Sequence, residues 1–266
     1  ICNLFELSRL NQIKQDDFKE WENQLRIFSP KIGENKLSYK KYNYFYRDFT
    51  LSHYKADKYF ENNLFIGFTG NASLLLSPLP CVIDTLKRLN FDLILVHRNK
   101  RISYFDENQL IYLKIEKIIN KIIYSNNYNT ISKKLFTIGT SAAALPSLVF
   151  AIRNSLKLGI YIGGSSNDFD ILSSLLFDKN SNRSFLLPNV IEENISKLLL
   201  LAGDECVKDK KKINFVGNYF KEYSKNLKTE ISFLKGCKEH DLIFELIKKG
   251  ESDLMDIYIN MINQSI

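Results

Sequence analysis

Histidine is scarce in this chain: its 266 residues hold three, His53, His97 and His240. No two of them stand at a metal-ligand spacing such as HxxxH, so no metal site is expected. The four cysteines, Cys2, Cys81, Cys206 and Cys237, make no CxxC pair. A chain of this length builds a core without bridges, and they are expected to be reduced. No apolar stretch exceeds about ten residues, half of what a membrane-spanning helix needs. No basic leader precedes an apolar signal segment. The first residue is Ile, which leaves open what precedes it, and a cytoplasmic location is expected. Dinucleotide binding would need GxGxxG after the first strand, and Gly67-Phe-Thr-Gly70 supplies only a fragment. A phosphate loop ending in Gly-Lys-Ser/Thr is also missing. No cofactor is therefore expected. Linkers rich in Pro or Ser, internal repeats and low-complexity tracts are absent as well.

What is abundant is lysine. The net charge of +7 arises from 37 Lys and Arg against 30 Asp and Glu. The excess clusters at Lys208 to Lys212, around Lys36 to Lys41 and at Lys133–Lys134. Such clusters suit an anionic polymer, but no nucleic-acid motif accompanies them. They read as solvated faces, and no nucleic-acid partner is expected.

The hydrophobic fraction of 45% supports one large globular domain. Residues 1 to about 30 carry apolar positions at helical spacing. Residues 40 to 62 are aromatic and alternate, which predicts one or two edge strands. A regular alternation follows. Buried strands are expected at Leu64–Phe68, Phe91–His97, Lys134–Gly139 and Leu158–Gly163. Helices are expected at Cys81–Leu89, Leu110–Ile123 and Ala142–Leu156. Residues 166–204 read as helical without a strand. Strands are then predicted at Ile213–Gly217 and Glu230–Leu234, and a closing helix from about His240 to Asn263. Strands alternating with long helices imply a mainly parallel sheet covered on both faces.

One segment carries chemistry. Phe136-Thr-Ile-Gly139-Thr140-Ser141-Ala142-Ala143 takes a buried strand directly into a helix. At so sharp a turn the central serine is thrust above the sheet edge, and the residues two before and two after it nearly touch. Both must be small, and they are Gly139 and Ala143. Ser141 would then stand at a helix N-terminus, where free N–H groups favour developing negative charge. The Ala142 N–H is placed to donate to an oxyanion. A serine that merely caps the helix is the alternative.

This turn, after the third buried strand of a βαβ series, resembles the nucleophile elbow of the α/β-hydrolase superfamily. The resemblance covers roughly residues 64 to 260. It is closest to uncharacterised bacterial members found with surface-polysaccharide genes, in which a strand ending in Phe-x-Gly opens the fold; Phe65-Ile-Gly-Phe68-Thr69-Gly70 occupies that place. The resemblance implies an α/β-hydrolase core at 63–165 and 205–266. It also implies an N-terminal helix and edge strands at 1–62 of the same domain, and a helical cap insertion at 166–204. Ile171, Leu172, Leu175, Leu176, Phe177 and Leu186 would line the cap's pocket or simply pack it down. Phe68 or Thr69 would lend the second oxyanion N–H.

The superfamily's order of serine, acid, histidine makes His240 the base, since no other histidine follows Ser141. His97, at a strand end, is its rival, and His53 is expected to be structural. The acid departs from the usual pattern: after Ile213–Gly217 the nearest carboxylate is Glu222, with Asp168 and Asp170 as alternatives. Asn218 could orient the ring but carries no charge. The implied activity is a serine esterase acting on a small-molecule or glycan acyl ester. An O-acyltransferase modifying a bacterial surface polysaccharide, with acyl-CoA as a donor, is a second reading. A catalytically inactive binding protein on the same fold is a third.

Overall fold

The computed structural model describes residues 23, 25, 26, 39–56, 63–70, 75, 77–98, 103–105, 109–128, 134–176, 197–223, 227–240, 242–250 and 254–263. Eight strands form one sheet. They are β1 (Tyr39–Phe45), β2 (Phe49–Ala56), β3 (Asn63–Phe68), β4 (Phe91–Arg98), β5 (Leu135–Thr140), β6 (Leu158–Ile162), β7 (Lys197–Gly203) and β8 (Lys228–Leu234). Their spatial order is β1-β2-β4-β3-β5-β6-β7-β8. The hairpin of β1 and β2 is antiparallel, and β2 joins β4 antiparallel. From β4 to β8 every pairing is parallel. All strands from β3 onward therefore end at the same edge of the sheet.

Helices α1 (Leu79–Arg88), α2 (Leu110–Ser125), α3 (Ala144–Arg153), α4 (Asp168–Leu176), α5 (Val207–Tyr223), α6 (Leu242–Lys248) and α7 (Leu254–Asn263) cover both faces. Alternation along each strand divides the core in two. Leu64, Ile66, Phe68, Ile94, Val96, Leu198 and Leu200 pack against α2, α3 and α5. Their neighbours Phe65, Leu93, Leu95, Phe136, Ile138, Leu199 and Leu201 pack against α1, α6 and α7. Strands buried on both sides need no polar face, which is why they read as continuous apolar runs.

Two expected elements are corrected. Ile213–Gly217 is not a strand but lies inside α5. Ile213, Val216 and Phe220 point into the core from one helical face, at spacings of three and four residues. Within a short apolar run that period cannot be told from a strand's. Conversely, Lys197–Gly203 is the core strand β7, within the span expected to lack one. Its Leu198-Leu-Leu-Leu-Ala run lacks β-branched residues and carries no strand signature of its own. It becomes a strand because β6 and β8 flank it on both sides. The aromatic stretch does form strands, with β1 at the edge and β2 inside it. The closing helix is two, α6 and α7, with Gly250 at φ +70° just beyond the first. Of the expected pocket residues, Leu172 is fully buried in the core and Ile171 packs against it. The side chains of Leu175, Leu176, Phe177 and Leu186, and most of the N-terminal helix, fall outside the described residues.

Phe65 centres one half of the core, with its ring edge-on to Phe91, Phe136 and Tyr258 at 5.5, 5.9 and 5.6 Å. Phe65→Ala is expected to cost about 3–5 kcal/mol, from lost transfer energy plus the cavity left behind. Urea denaturation measures it.

Candidate active site

Ser141 follows the last residue of β5 and opens a single 3-10 turn, Ser141–Ala143, that runs into α3. Its φ is +54°, in the left-handed region that costs a non-glycine residue about 1–3 kcal/mol. The cause is the direct passage from strand to helix. Gly139 shows how tight that passage is: a Cβ there would lie 2.1 Å from the Ala143 carbonyl oxygen and 2.6 Å from Ser147 Oγ. The expectation that both flanks of Ser141 must be small is thus a steric fact at Gly139.

The imidazole comes from the loop after β8. That loop is clamped from two sides. Glu205 N–H donates to the Cys237 carbonyl at 3.1 Å, and Gly203 packs so closely that a Cβ there would meet the same oxygen at 2.1 Å. On the other side, the Lys238 and Glu239 N–H groups donate to Glu245 Oε2 at 2.8 and 2.9 Å. These backbone bonds, led by that from Glu239, hold the Glu245 carboxyl below its usual range. His240 emerges from this clamp with its side chain 40% exposed.

His240 Nδ1 lies 2.7 Å from Asp209 Oδ2. Asp209 sits in the first turn of α5, just beyond β7, and is buried. Burial works against its charge, but hydrogen bonds from His240 and Lys212, with their charges, outweigh it and hold the carboxyl below its usual range. Gly163 stands against this pair. The last paired residues of β5 and β6 are Thr140 and Ile162, so Ser141 and Gly163 are the next residues of two adjacent strands. A Cβ on Gly163 would lie 2.7 Å from His240 Cε1 and 2.9 Å from Nδ1. The imidazole therefore rests on Gly163, the first residue beyond β6, the strand next to the one that ends at Ser141.

The carboxylate on His240 Nδ1 is none of the expected acids. Glu222 is exposed near the far end of α5; 13 residues of helix separate it from Asp209, about 20 Å at 1.5 Å per residue. Asp168 is buried and accepts from Tyr161 Oη at 2.6 Å and Ser165 N–H at 2.8 Å. Burial pushes its carboxyl up to about 6, against the pull of those bonds and of Lys212. Asp170 is exposed on α4, and Asn218 is exposed on α5. The sequence pattern does not single out Asp209, because Ile213–Gly217 has the look of the fifth parallel strand. With the Leu198–Ala202 run as that strand, the Asp204–Asp209 segment is the place to look.

Of the expected oxyanion donors, Ala142 lies within the 3-10 turn, where its N–H heads the α3 stack. Thr69 is corrected: its N–H is bonded to the Val96 carbonyl at 3.1 Å. Phe68 is the last residue of β3, paired with Val96 and Gly139. Gly70, at the start of this loop, lies close to the serine: a Cβ there would be 3.6 Å from Ser141 Cβ.

The other two histidines are held neutral. Burial brings His97 down to about 4, with Lys41 adding to the effect, and its Nδ1 lies 3.4 Å from Thr69 Oγ1. His53 is buried, with Nε2 3.2 Å from Tyr128 Oη, and that hydroxyl donates to Asp92. Burial brings His53 down to about 4 despite the pull of Asp92. Among the described residues no group of three or more His, Cys, Asp or Glu could hold a metal ion, and no helix is long and apolar enough to cross a membrane. Cys81, Cys206 and Cys237 are unbridged.

A mostly parallel eight-stranded sheet with helices on both faces, and a serine on a strained strand–helix turn at its C-terminal edge, define the α/β-hydrolase fold. Solved structures agree. An esterase of Pyrobaculum calidifontis superposes with a TM-score of 0.56 at 11% identity, over 93% of this chain and 92% of its own. A hydrolase of unknown function from Agrobacterium tumefaciens matches at 0.54 and 16%, over 83% and 97%. Dienelactone hydrolase from Anabaena variabilis matches at 0.53 and 11%, over 84% and 99%. At these identities the likeness is one of fold. No protein-family model and no curated protein matches the sequence.

Two consequences can be measured. Gly139→Ala drives a Cβ into the Ala143 carbonyl and is expected to destabilise the protein by about 2–4 kcal/mol in urea; an unchanged midpoint would show that the turn relaxes. His53, with its folded value depressed to about 4, adds stability that is full above its unfolded value of about 6.5 and is lost as pH falls toward 4. His53→Gln should therefore flatten the decline in unfolding free energy between about pH 6.5 and 4 by roughly 2–3 kcal/mol.

Proposed function

We propose that this protein is a serine-dependent carboxylic-ester hydrolase with Ser141 as nucleophile, His240 as base and Asp209 as acid. The observation that carries the reading is the strained Ser141 beside Gly163, against which His240 is held by Asp209. A left-handed serine persists only where its surroundings enforce it; a cap could be made without that cost.

In this reading Ser141 Oγ attacks the ester's carbonyl carbon while His240 Nε2 takes the hydroxyl proton. Asp209, bonded to Nδ1, fixes the tautomer and stabilises the imidazolium. The oxyanion is met by the Ala142 N–H and by the loop that begins at Gly70. Collapse of the tetrahedral species breaks the bond to the alkoxide, which leaves with the proton from His240. Water then attacks the acyl-serine, gives its proton to His240, and the carboxylic acid departs as Ser141 recovers its hydrogen.

Wild type is expected to react with a fluorophosphonate probe and to turn over p-nitrophenyl acetate, and Ser141→Ala to do neither. Asp209→Asn should lower kcat by about 10²- to 10⁴-fold through the wrong tautomer, whereas Glu222→Gln should stay within about twofold. A folded wild type that takes no label would overturn the reading.

A further inference from the structure

Lys212 lies one helical turn beyond Asp209 on α5. Its Nζ donates to Asp209 Oδ1 at 3.0 Å and to the Gly164 carbonyl at 3.3 Å. We propose that Lys212 is a positioning residue that ties the acid to the turn after β6 and, through its charge, sets the basicity of His240. The proposal rests on the reading of Ser141, His240 and Asp209 given above.

Geometry supports the first half. Asp209 presents one oxygen to His240 and the other to Lys212, so rotation of its carboxylate is blocked from both sides. The turn that receives the second bond is Gly163–Gly164, with φ of +73° and +55°. Its first residue is the one on which the imidazole rests. One ammonium thus links the acid-bearing helix to the surface that sets the height of the base. Three rotatable donors on a flexible stem can reach two acceptors in different planes.

Placement supports the second half. Lys212 is held in place by its contacts with Asp209 and Gly164. Its side chain is 25% exposed and that of Asp209 4%, so the pair is poorly screened. A fixed positive charge on the far oxygen stabilises the carboxylate but opposes a second positive charge on the imidazole. Other charged or titratable groups surround the site. Lys208 and Lys210 share α5, and Cys206 precedes it in contact with Asp209. Tyr161 and Asp168 lie under the β6 turn, and Lys238 and Glu239 flank His240 in its loop. Among the described residues Lys212 is the cation that bridges Asp209.

The test is an NMR titration of the His240 imidazole, assigned by the signal lost in His240→Gln, in wild type, Lys212→Met, Lys212→Gln and Lys212→Arg. Removing the charge should raise the midpoint by about 0.5–1 pH unit in both Met and Gln variants. Lys212→Arg should stay within about 0.2 of wild type. Gln keeps a donor to Asp209 and carries the test if the Met variant does not fold. Midpoints that stay at the wild-type value in both neutral variants, with or without lower thermal stability, would reduce Lys212 to a structural tie and overturn the proposal. The titration needs no substrate, so a failure of Ser141 to react with the fluorophosphonate is read separately.

Discussion

In a parallel sheet every strand delivers its C-terminus to the same edge, and that constraint makes the site. Ser141 leaves β5, Gly163 leaves β6, Asp209 follows β7 and His240 follows β8. The four strands are consecutive in the sheet, so residues up to 99 positions apart in the chain (240 minus 141) meet at one edge. The crossover helices that return each strand to the far edge also supply the two halves of the core. The site and the core are thus products of one arrangement.

What sharpens the arrangement is crowding at glycine. Gly139, Gly163 and Gly203 each stand where a single carbon would collide with backbone or imidazole at 2.1 to 2.7 Å. They let β5 turn straight into a helix, let the imidazole settle over β6, and let the loop after β8 press on the end of β7. The polar groups follow the same economy. Glu245 fixes the loop that carries His240, Asp209 fixes the imidazole, and Lys212 fixes Asp209. The strain at Ser141 is offset by a surrounding that is already over-determined.

The serine turn was legible because its requirement is local: a strand meeting a helix around a serine with small flanks has one geometry. His240 was legible through scarcity, since one histidine follows the serine. The acid was not. Its position depended on which of two apolar runs is the fifth parallel strand, and local pattern favoured the wrong one. Phe215 and Val216 gave Ile213–Gly217 the look of a strand, while the leucines of 198–201 are as common in helices. One misplaced strand moved the search for a carboxylate from Asp209 to Glu222, at the opposite end of the same helix.

The amino-acid sequence by itself determined the alternation of buried strands and helices, the turn at Ser141 and the identity of the histidine after it. Each of these rests on interactions among residues near in the chain or on composition. Only the tertiary structure decided that Leu198–Ala202 pairs between β6 and β8, that Asp209 is the carboxylate on His240, and that Gly70 approaches Ser141. It also decided that Lys212 bridges the acid to the β6 turn. These follow from which strands lie side by side and how closely their ends approach. Such facts arise from packing across the sheet, to which a residue's neighbours in the chain contribute little.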